Sequence, residues 1–222
     1  MIISIFKIIK LTLYKIAKPK GKYSFLSKVS SSANILDIGC GKTPNRYKPF
    51  FPNSNYTGID IDDHFVSKEN LADKYILTTP ANFISEINKH ESKFDVTISS
   101  HNLEHCDDRD GVLNASLRTV KSGGMLYLSF PSEDSVNFPC RHVTLNYFDD
   151  NTHKVKPPEF EETLRTLESN GYEIIFKANK YRPFFLRTLG WLFEPLSRLN
   201  KKVYLGTWEY YGFETVIWAR KN

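Results

Sequence analysis

Short apolar runs alternate with stretches of helical period along most of the chain. Runs rich in Ile, Val, Leu, Tyr and Phe fall at 35–38, 56–60, 75–77, 94–99, 125–130, 173–177 and 215–219, and each reads as a buried strand. Between them, 81–91 and 111–121 carry apolar residues at helical spacing, the second turning Val112, Leu113, Ala115, Leu117 and Val120 inward. Ser122-Gly123-Gly124 should turn the chain into the fifth strand. Pro158 is set to open a further helix through Asn170, closed by Gly171 at its C′ position. Repeated strand–helix alternation predicts an α/β fold with a largely parallel sheet.

Both ends of the chain depart from this rhythm. Residues 1–18 contain no Gly or Pro, and at helical spacing Ser4, Lys7, Lys10, Lys15 and Lys18 share one face. Ile2, Ile5, Phe6, Ile9, Leu13 and Ile16 lie opposite, with Ile3, Leu11 and Tyr14 blurring the boundary. Such a basic amphipathic helix either packs its apolar face on the domain or lies on an anionic membrane surface. Lysines interrupt the apolar run too often for a signal peptide, and no uncharged stretch is long enough to span a bilayer. Residues 19–32 read as a linker with a short helix. Towards the other end, residues 180–212 form an apolar, aromatic and basic insert that includes Phe184, Phe185, Trp191 and Phe193. It reads as a lid packed on the domain and the N-terminal helix, as a cap over an amphiphilic acceptor, or as a second membrane contact with Trp191 at the interface.

The first strand ends in Asp37-Ile38-Gly39-Cys40-Gly41, where a Gly-x-Gly turn lets backbone approach a ligand that a Cβ would touch. The second strand ends in Asp60, at the spacing from the glycine turn that suits a carboxylate gripping a ribose diol. These residues resemble the first two motifs of the class I S-adenosylmethionine-dependent methyltransferases. The stretch from Phe94 to His105 resembles their fourth-strand motif, and Val120-Lys121-Ser122-Gly123-Gly124-Met125-Leu126 their turn into strand five. Lys42-Thr43-Pro44 stands where the family has a third glycine. The whole chain is similar to methyltransferases of bacterial surface-polysaccharide clusters.

The resemblance implies a Rossmann-like sheet of seven strands, mostly parallel with the last antiparallel, and helices on both faces. Residues 1–32 would then be the amphipathic helix and linker, and 33–222 the methyltransferase domain, with an acceptor loop at 131–157 and the insert at 180–212. It implies S-adenosylmethionine as cofactor, held by Asp37, by the amides of Gly39, Cys40 and Gly41, and by Asp60 and Ile61. Ser100 and His101 would line the same site from the fourth strand. No acid follows the third strand, so adenine would be read near Ala81, by backbone or by Asn82 or Thr79.

Transfer to a hydroxyl requires the loss of a proton, and a neutral imidazole is suited to take it. His105, then His153, are the candidate bases, while His142, Asn146, Tyr147 and Asp150 on the long polar-aromatic loop are candidate acceptor contacts. Asp149-Asp150-x-x-His153 with Glu104 is a loose oxygen-rich set, and no metal is assigned to it.

Charge sharpens the picture of partners. The net charge is +5, yet residues 1–22 hold six lysines and no acid. Residues 177–202 hold seven basic side chains against Glu194, which leaves the rest of the chain acidic. An acidic centre and basic ends interleaved with Ile, Leu and Phe disfavour nucleic acid, the reading from another functional class. The expected partners are a saccharide or amphiphilic small-molecule acceptor and an anionic membrane surface. Methylation of a sugar hydroxyl on a glycan or lipid-linked saccharide is the leading reading, and a lipid or quinone-like acceptor is the alternative. Cys40, Cys106 and Cys140 show no ligand spacing and point to a reducing compartment, so the protein is expected in the cytoplasm or on the inner face of the cell membrane.

Overall fold

The computed structural model describes residues 2–42, 44–63, 72–154 and 156–222. Thr43 and the side chains of Ile2, Ile3, Ser4, Ile5, Phe6, Lys7 and Pro44, on which the sequence reading drew, lie outside what is described. Seven strands form one sheet: β1 Asn34–Ile38, β2 Asn55–Asp60, β3 Lys74–Leu77, β4 Phe94–Ser100, β5 Val120–Pro131, β6 Tyr172–Ala178 and β7 Glu214–Lys221. Their order is β3-β2-β1-β4-β5-β7-β6. β1 to β5 pair in parallel and β7 is antiparallel to both its neighbours. The expected Rossmann-like sheet with its antiparallel last strand is present.

Alternation along the strands sorts their side chains to two faces. Leu36 and Ile38 of β1 join Ile59, Leu126, Leu128, Ile217 and Ala219 in one buried core. Helices α4 Phe83–Asn88, α5 Arg109–Thr119 and α6 Phe160–Ser169 cover it with Ile87, Val112, Leu113, Leu117, Leu164 and Leu167. Ile35 joins Tyr56, Val96, Ile98, Tyr127, Val216 and Trp218 on the opposite face, where α2 Lys22–Leu26 contributes Phe25. Asp37 has the parity of Ile35, so this second face receives its carboxylate. Trp218 is fully buried there and donates its Nε1–H to the carbonyl of Lys20 at 2.9 Å.

Several boundaries move from their expected places for local reasons. α5 starts at Arg109 because Asp108 caps it, accepting from Gly111 N at 2.8 Å. α6 begins two residues after Pro158, with Glu159 at the N-cap position, and still closes on Gly171 at φ +78°. The Ser122-Gly123-Gly124 turn lies within β5, whose pairing with β4 shifts register between Phe94 and Val96.

α1 Ile2–Ala17 precedes the domain, and α3 Pro44–Tyr47 is a single turn after the glycine motif. α1 is anchored by Tyr14, stacked on Tyr23 at 4.4 Å, while Ile8, Ile9, Leu13 and Ile16 are each at least half exposed. These four side chains are turned largely to solvent, whereas Leu11 and Ala17 are partly buried. Between β6 and β7 the insert forms α7 Phe184–Asn200 and α8 Thr207–Tyr211. Leu186, Gly190, Glu194 and Ser197 form the buried side of α7, and a Cβ on Gly190 would lie 2.0 Å from the carbonyl oxygen of Gly206. No helix among the described residues is long and apolar enough to cross a membrane.

Candidate functional site

The carboxyl ends of β1, β2 and β4 meet at one edge of the sheet, which is where ligands bind in open parallel sheets. Asp37 stands there almost fully buried. Its Oδ2 accepts from the Tyr56 hydroxyl at 2.6 Å and from Lys22 Nζ at 3.3 Å, whereas its Oδ1 is buried and receives no hydrogen bond. Burial and the adjacent carboxylate push the Tyr56 phenol well above its ordinary pKa, so Tyr56 stays protonated and donates. Lys22 also lies over the Tyr47 ring at 4.7 Å. Neither Lys22 nor Tyr56 carried a signal in the sequence, because each reaches Asp37 across the fold.

The glycine turn follows. Gly39 and Gly41 hold φ of +66° and +51°, the left-handed region that glycine enters without a Cβ penalty. A Cβ on Gly39 would fall 2.2 Å from Asn102 Oδ1, while one on Gly41 would meet nothing within 4 Å. The turn's amides differ from expectation. Gly39 N and Cys40 N donate to the Ile59 carbonyl at 2.9 and 3.3 Å, and Gly41 N donates to Asp60 Oδ2 at 2.6 Å. These three donors lock β1 to β2 instead of remaining available to a ligand. Cys40 is buried beside Gly58, and burial pushes its thiol far above the usual range, so it is no nucleophile.

Asp60 Oδ1 accepts from Ile61 N at 2.8 Å and from Asp62 N at 3.1 Å, which fixes the carboxylate at the end of β2. Ile61 and Leu77, at the ends of β2 and β3, are 42% and 52% exposed and offer an apolar surface beside it. Ala81 sits in an exposed 3-10 turn, Pro80–Asn82, just after β3. Ser100 Oγ is paired with Ser129 Oγ at 2.9 Å across β4 and β5.

His101 follows β4 at φ +52° between two carboxylates, Glu104 Oε1 at 3.0 Å from Nδ1 and Glu214 Oε1 at 3.4 Å from Nε2. Burial opposes its charge, but the two acids outweigh burial and raise its pKa to about 9. His101 is thus an imidazolium at neutral pH, a cation rather than a base. Glu214 is held far below the usual carboxylate range by Lys18 and His101 in spite of burial, and Lys18 also bridges Glu209 at 2.7 Å.

One turn beyond Asn102, Glu104 and His105 meet His153 of the long loop. The rings of His105 and His153 are 4.8 Å apart, and one ligand atom from each of the three residues lies within 4.8 Å of the others. His153 donates Nδ1–H to the Tyr147 carbonyl at 2.5 Å, and burial lowers its pKa and keeps it neutral. The sequence placed His105 and His153 on the same task, and the fold brings them together.

The proposed acceptor contacts divide into two groups. Asn146 is buried, with Nδ2 donating to the carbonyls of Val136 and Phe138 and Oδ1 accepting from Phe148 N. Tyr147 is fully buried and its hydroxyl donates to the Lys156 carbonyl at 2.9 Å. Both side chains serve the loop's own fold, as does Asp149, which accepts from the amides of Arg141, Leu145 and Asn146. His142 and Asp150, in contrast, line an open groove with Cys140, Asn151 and Lys201. Val143 and Thr144 between them hold φ of +70° and +51°, a strained state for β-branched residues. Trp208 Nε1–H bonded to the Thr144 carbonyl at 2.7 Å and the His142 backbone paired with Lys201 and Val203 keep it in place.

Residues 36–126 match the family model described as a methyltransferase domain. An uncharacterized protein of Methanocaldococcus jannaschii is 28% identical over 110 residues, 46% of this chain and 29% of that protein. A ubiquinone biosynthesis O-methyltransferase of Hydrogenovibrio crunogenus is 25% identical over 118 residues, 49% of this chain and 47% of that enzyme. The matches thus span less than half the length of either curated relative. The crystal structure of an S-adenosylmethionine-dependent methyltransferase from Mesorhizobium loti is similar in fold, with a TM-score of 0.60 at 14% identity over 89% of this chain and 96% of that one.

Proposed function

We propose, from the premise that this chain carries a methyltransferase domain of the class I S-adenosylmethionine-dependent family, that it methylates an oxygen of an amphiphilic acceptor at a membrane surface. The observation that carries the cofactor assignment is Asp37 Oδ1, a buried acceptor without a donor at the end of β1. A buried unpartnered carboxylate oxygen is costly, and the ammonium of a methionyl group would satisfy it. The open space over Gly41 admits a ligand against bare backbone. The ribose diol is assigned to Asp60, and support of the adenine to the exposed Ile61 and Leu77. When bound, S-adenosylmethionine supplies a methyl group already activated by a sulfonium.

The chain's own residues then align the acceptor and remove its proton. The Glu104–His105–His153 cluster is assigned to the proton, being joined to the acceptor loop by the Lys154 N–H bond to the Glu104 carbonyl at 2.9 Å. His142 and Asp150 are assigned to the acceptor. The amphiphilic character rests on two exposed apolar faces with basic neighbours. Ile9, Leu13 and Ile16 of α1 form one, and Phe185, Leu192, Leu196 and Leu199 of α7 the other. A sugar hydroxyl on a lipid-linked saccharide suits the polar loop beside these faces. A quinone-like phenol is the second reading, favoured by the relative of that named pathway.

Titration calorimetry tests the cofactor assignment. The full chain should bind S-adenosylmethionine, and Asp37→Asn, which can neither attract the ammonium nor keep the same partners, should weaken binding at least about tenfold. Undiminished affinity in the variant would sink the assignment.

A further inference from the structure

Glu104, His105 and His153 have features that a proton-transfer role alone leaves unexplained. Glu104 is fully buried, and while its Oε1 faces His101, its Oε2 is sealed from solvent and receives no hydrogen bond. A carboxylate oxygen buried in that state needs a cation or a donor. The two imidazoles are also oriented from behind. Thr152 Oγ1 donates its one hydrogen to Asp150 Oδ1 at 2.6 Å, so at 2.9 Å it accepts from His105 Nδ1–H, which leaves Nε2 with its lone pair. His153 Nδ1 lies 2.5 Å from the Tyr147 carbonyl, which can only accept, so its Nε2 is also unprotonated. An imidazole whose rear N–H is fixed by a carbonyl or by a carboxylate-backed hydroxyl is the usual support of a metal-ligating histidine.

We infer that Glu104, His105 and His153 bind one divalent d-block cation, of the Zn²⁺ type, with coordination positions left open toward the acceptor loop. Two nitrogens and one oxygen select such an ion over Mg²⁺ or Ca²⁺, which take oxygen ligands. In a tetrahedral site with bonds of about 2.0–2.2 Å the ligand atoms stand about 3.3 Å apart. The observed separations, within 4.8 Å, close to that by movement of the partly exposed His105 ring toward the buried Glu104 and His153 side chains. Asp150 and Tyr147 form the outer support, and His101 fixes the far oxygen of Glu104.

The role given to this ion rests on the oxygen-methylation reading above, whereas its binding does not. An acceptor hydroxyl or phenol oxygen would occupy an open position, where the cation lowers its pKa and the proton passes to solvent. The cluster then acts on the acceptor proton through the ion, in place of direct transfer to one of its imidazoles.

The test uses the full chain, stripped of metal and free of S-adenosylmethionine and acceptor. Titration with Co²⁺ should give one bound ion per chain with visible d–d absorption, displaced by Zn²⁺ and not by Mg²⁺. Glu104→Gln, His105→Ala and His153→Ala should each weaken binding at least about tenfold, and Thr152→Val about tenfold through the lost rear hydrogen bond. His90→Ala, in the turn after α4, should leave it unchanged. X-ray absorption on the unmutated Zn²⁺-loaded chain should find two imidazole nitrogens and a carboxylate oxygen, which keeps the outcome independent of how the variants fold. No stoichiometric Co²⁺, or binding that persists in the His105→Ala/His153→Ala double variant, overturns the site. A catechol or a vicinal-diol sugar should shift the d–d bands of the loaded chain, and unchanged bands overturn the acceptor role alone. Failure of S-adenosylmethionine to bind would instead remove the methyltransferase reading and leave the metal result standing.

Discussion

At the scale of single residues, the two turn glycines separate stability from ligand binding. Gly39→Ala must place a Cβ in the left-handed region, which costs about 1–2 kcal/mol, and must also displace the Asn102 side chain 2.2 Å away. Its unfolding free energy in urea should fall by about 2 kcal/mol or more. Gly41→Ala bears only the backbone cost, because its Cβ meets nothing within 4 Å. It should lose about 1 kcal/mol of stability and yet reduce S-adenosylmethionine affinity about tenfold or more, since the methyl enters the space assigned to the ligand. If calorimetry finds Gly41→Ala binding normally, that space is not where the ligand sits. Asp37, Gly39 and Asp60 could be picked out from sequence because strand, turn and acid are neighbours along the chain. Lys22, Tyr56 and Asn102 could not, as their importance comes from meeting those residues across the sheet.

At the scale of elements, a chain of charges joins three of them. Lys18 just after α1, Glu214 at the start of β7, His101 after β4 and Glu104 beyond it alternate in sign from the surface inward. Glu214 is nine-tenths buried and has its pKa depressed, so its contribution to stability is present above the ordinary carboxylate value of 4.5 and is lost as pH falls below it. Glu214→Gln leaves Lys18 and His101 short of a counter-charge and should cost roughly 3 kcal/mol near pH 7. The gap between wild type and variant should shrink as pH is lowered from about 5 to about 3, because the wild type alone loses this interaction. Urea midpoints across that range measure it, and a constant gap would show that Glu214 does not supply the linkage. The sequence marked His101 as a cofactor contact. Its place between two acids follows from β7 lying antiparallel beside β5, which sets Glu214 opposite Pro131 at the same end of the sheet.

At the scale of the whole molecule, α1 and α7 present the unpartnered apolar faces. Leu199 is 81% exposed and Trp191 62%, with Arg187, Arg198, Lys201 and Lys202 nearby in sequence. If these faces rest on lipid, the full chain should sediment with phosphatidylserine-containing vesicles and be released by high salt. Ile9→Ser/Leu13→Ser/Ile16→Ser should cut that partitioning several-fold while sparing the fold, since these side chains touch little of the domain. Equal sedimentation of the triple variant would remove α1 from the contact.

The sequence by itself determined the order of strands and helices, the glycine turn and the acids that end β1 and β2. Those features are local: periodicity follows from backbone geometry, and a turn is set by the residues within it. It also singled out His105 and His153, without showing that they meet. Only the tertiary structure decided that the turn's amides are given to Ile59 and Asp60, that Asn146 and Tyr147 are consumed in shaping their loop, and that Asp37 Oδ1 and Glu104 Oε2 are left buried without donors. Partners such as Lys22 and Asp37, 15 positions apart, are fixed by packing, and so are the loop contacts of Asn146 and Tyr147, 8 to 10 positions apart, because their loop follows no regular period.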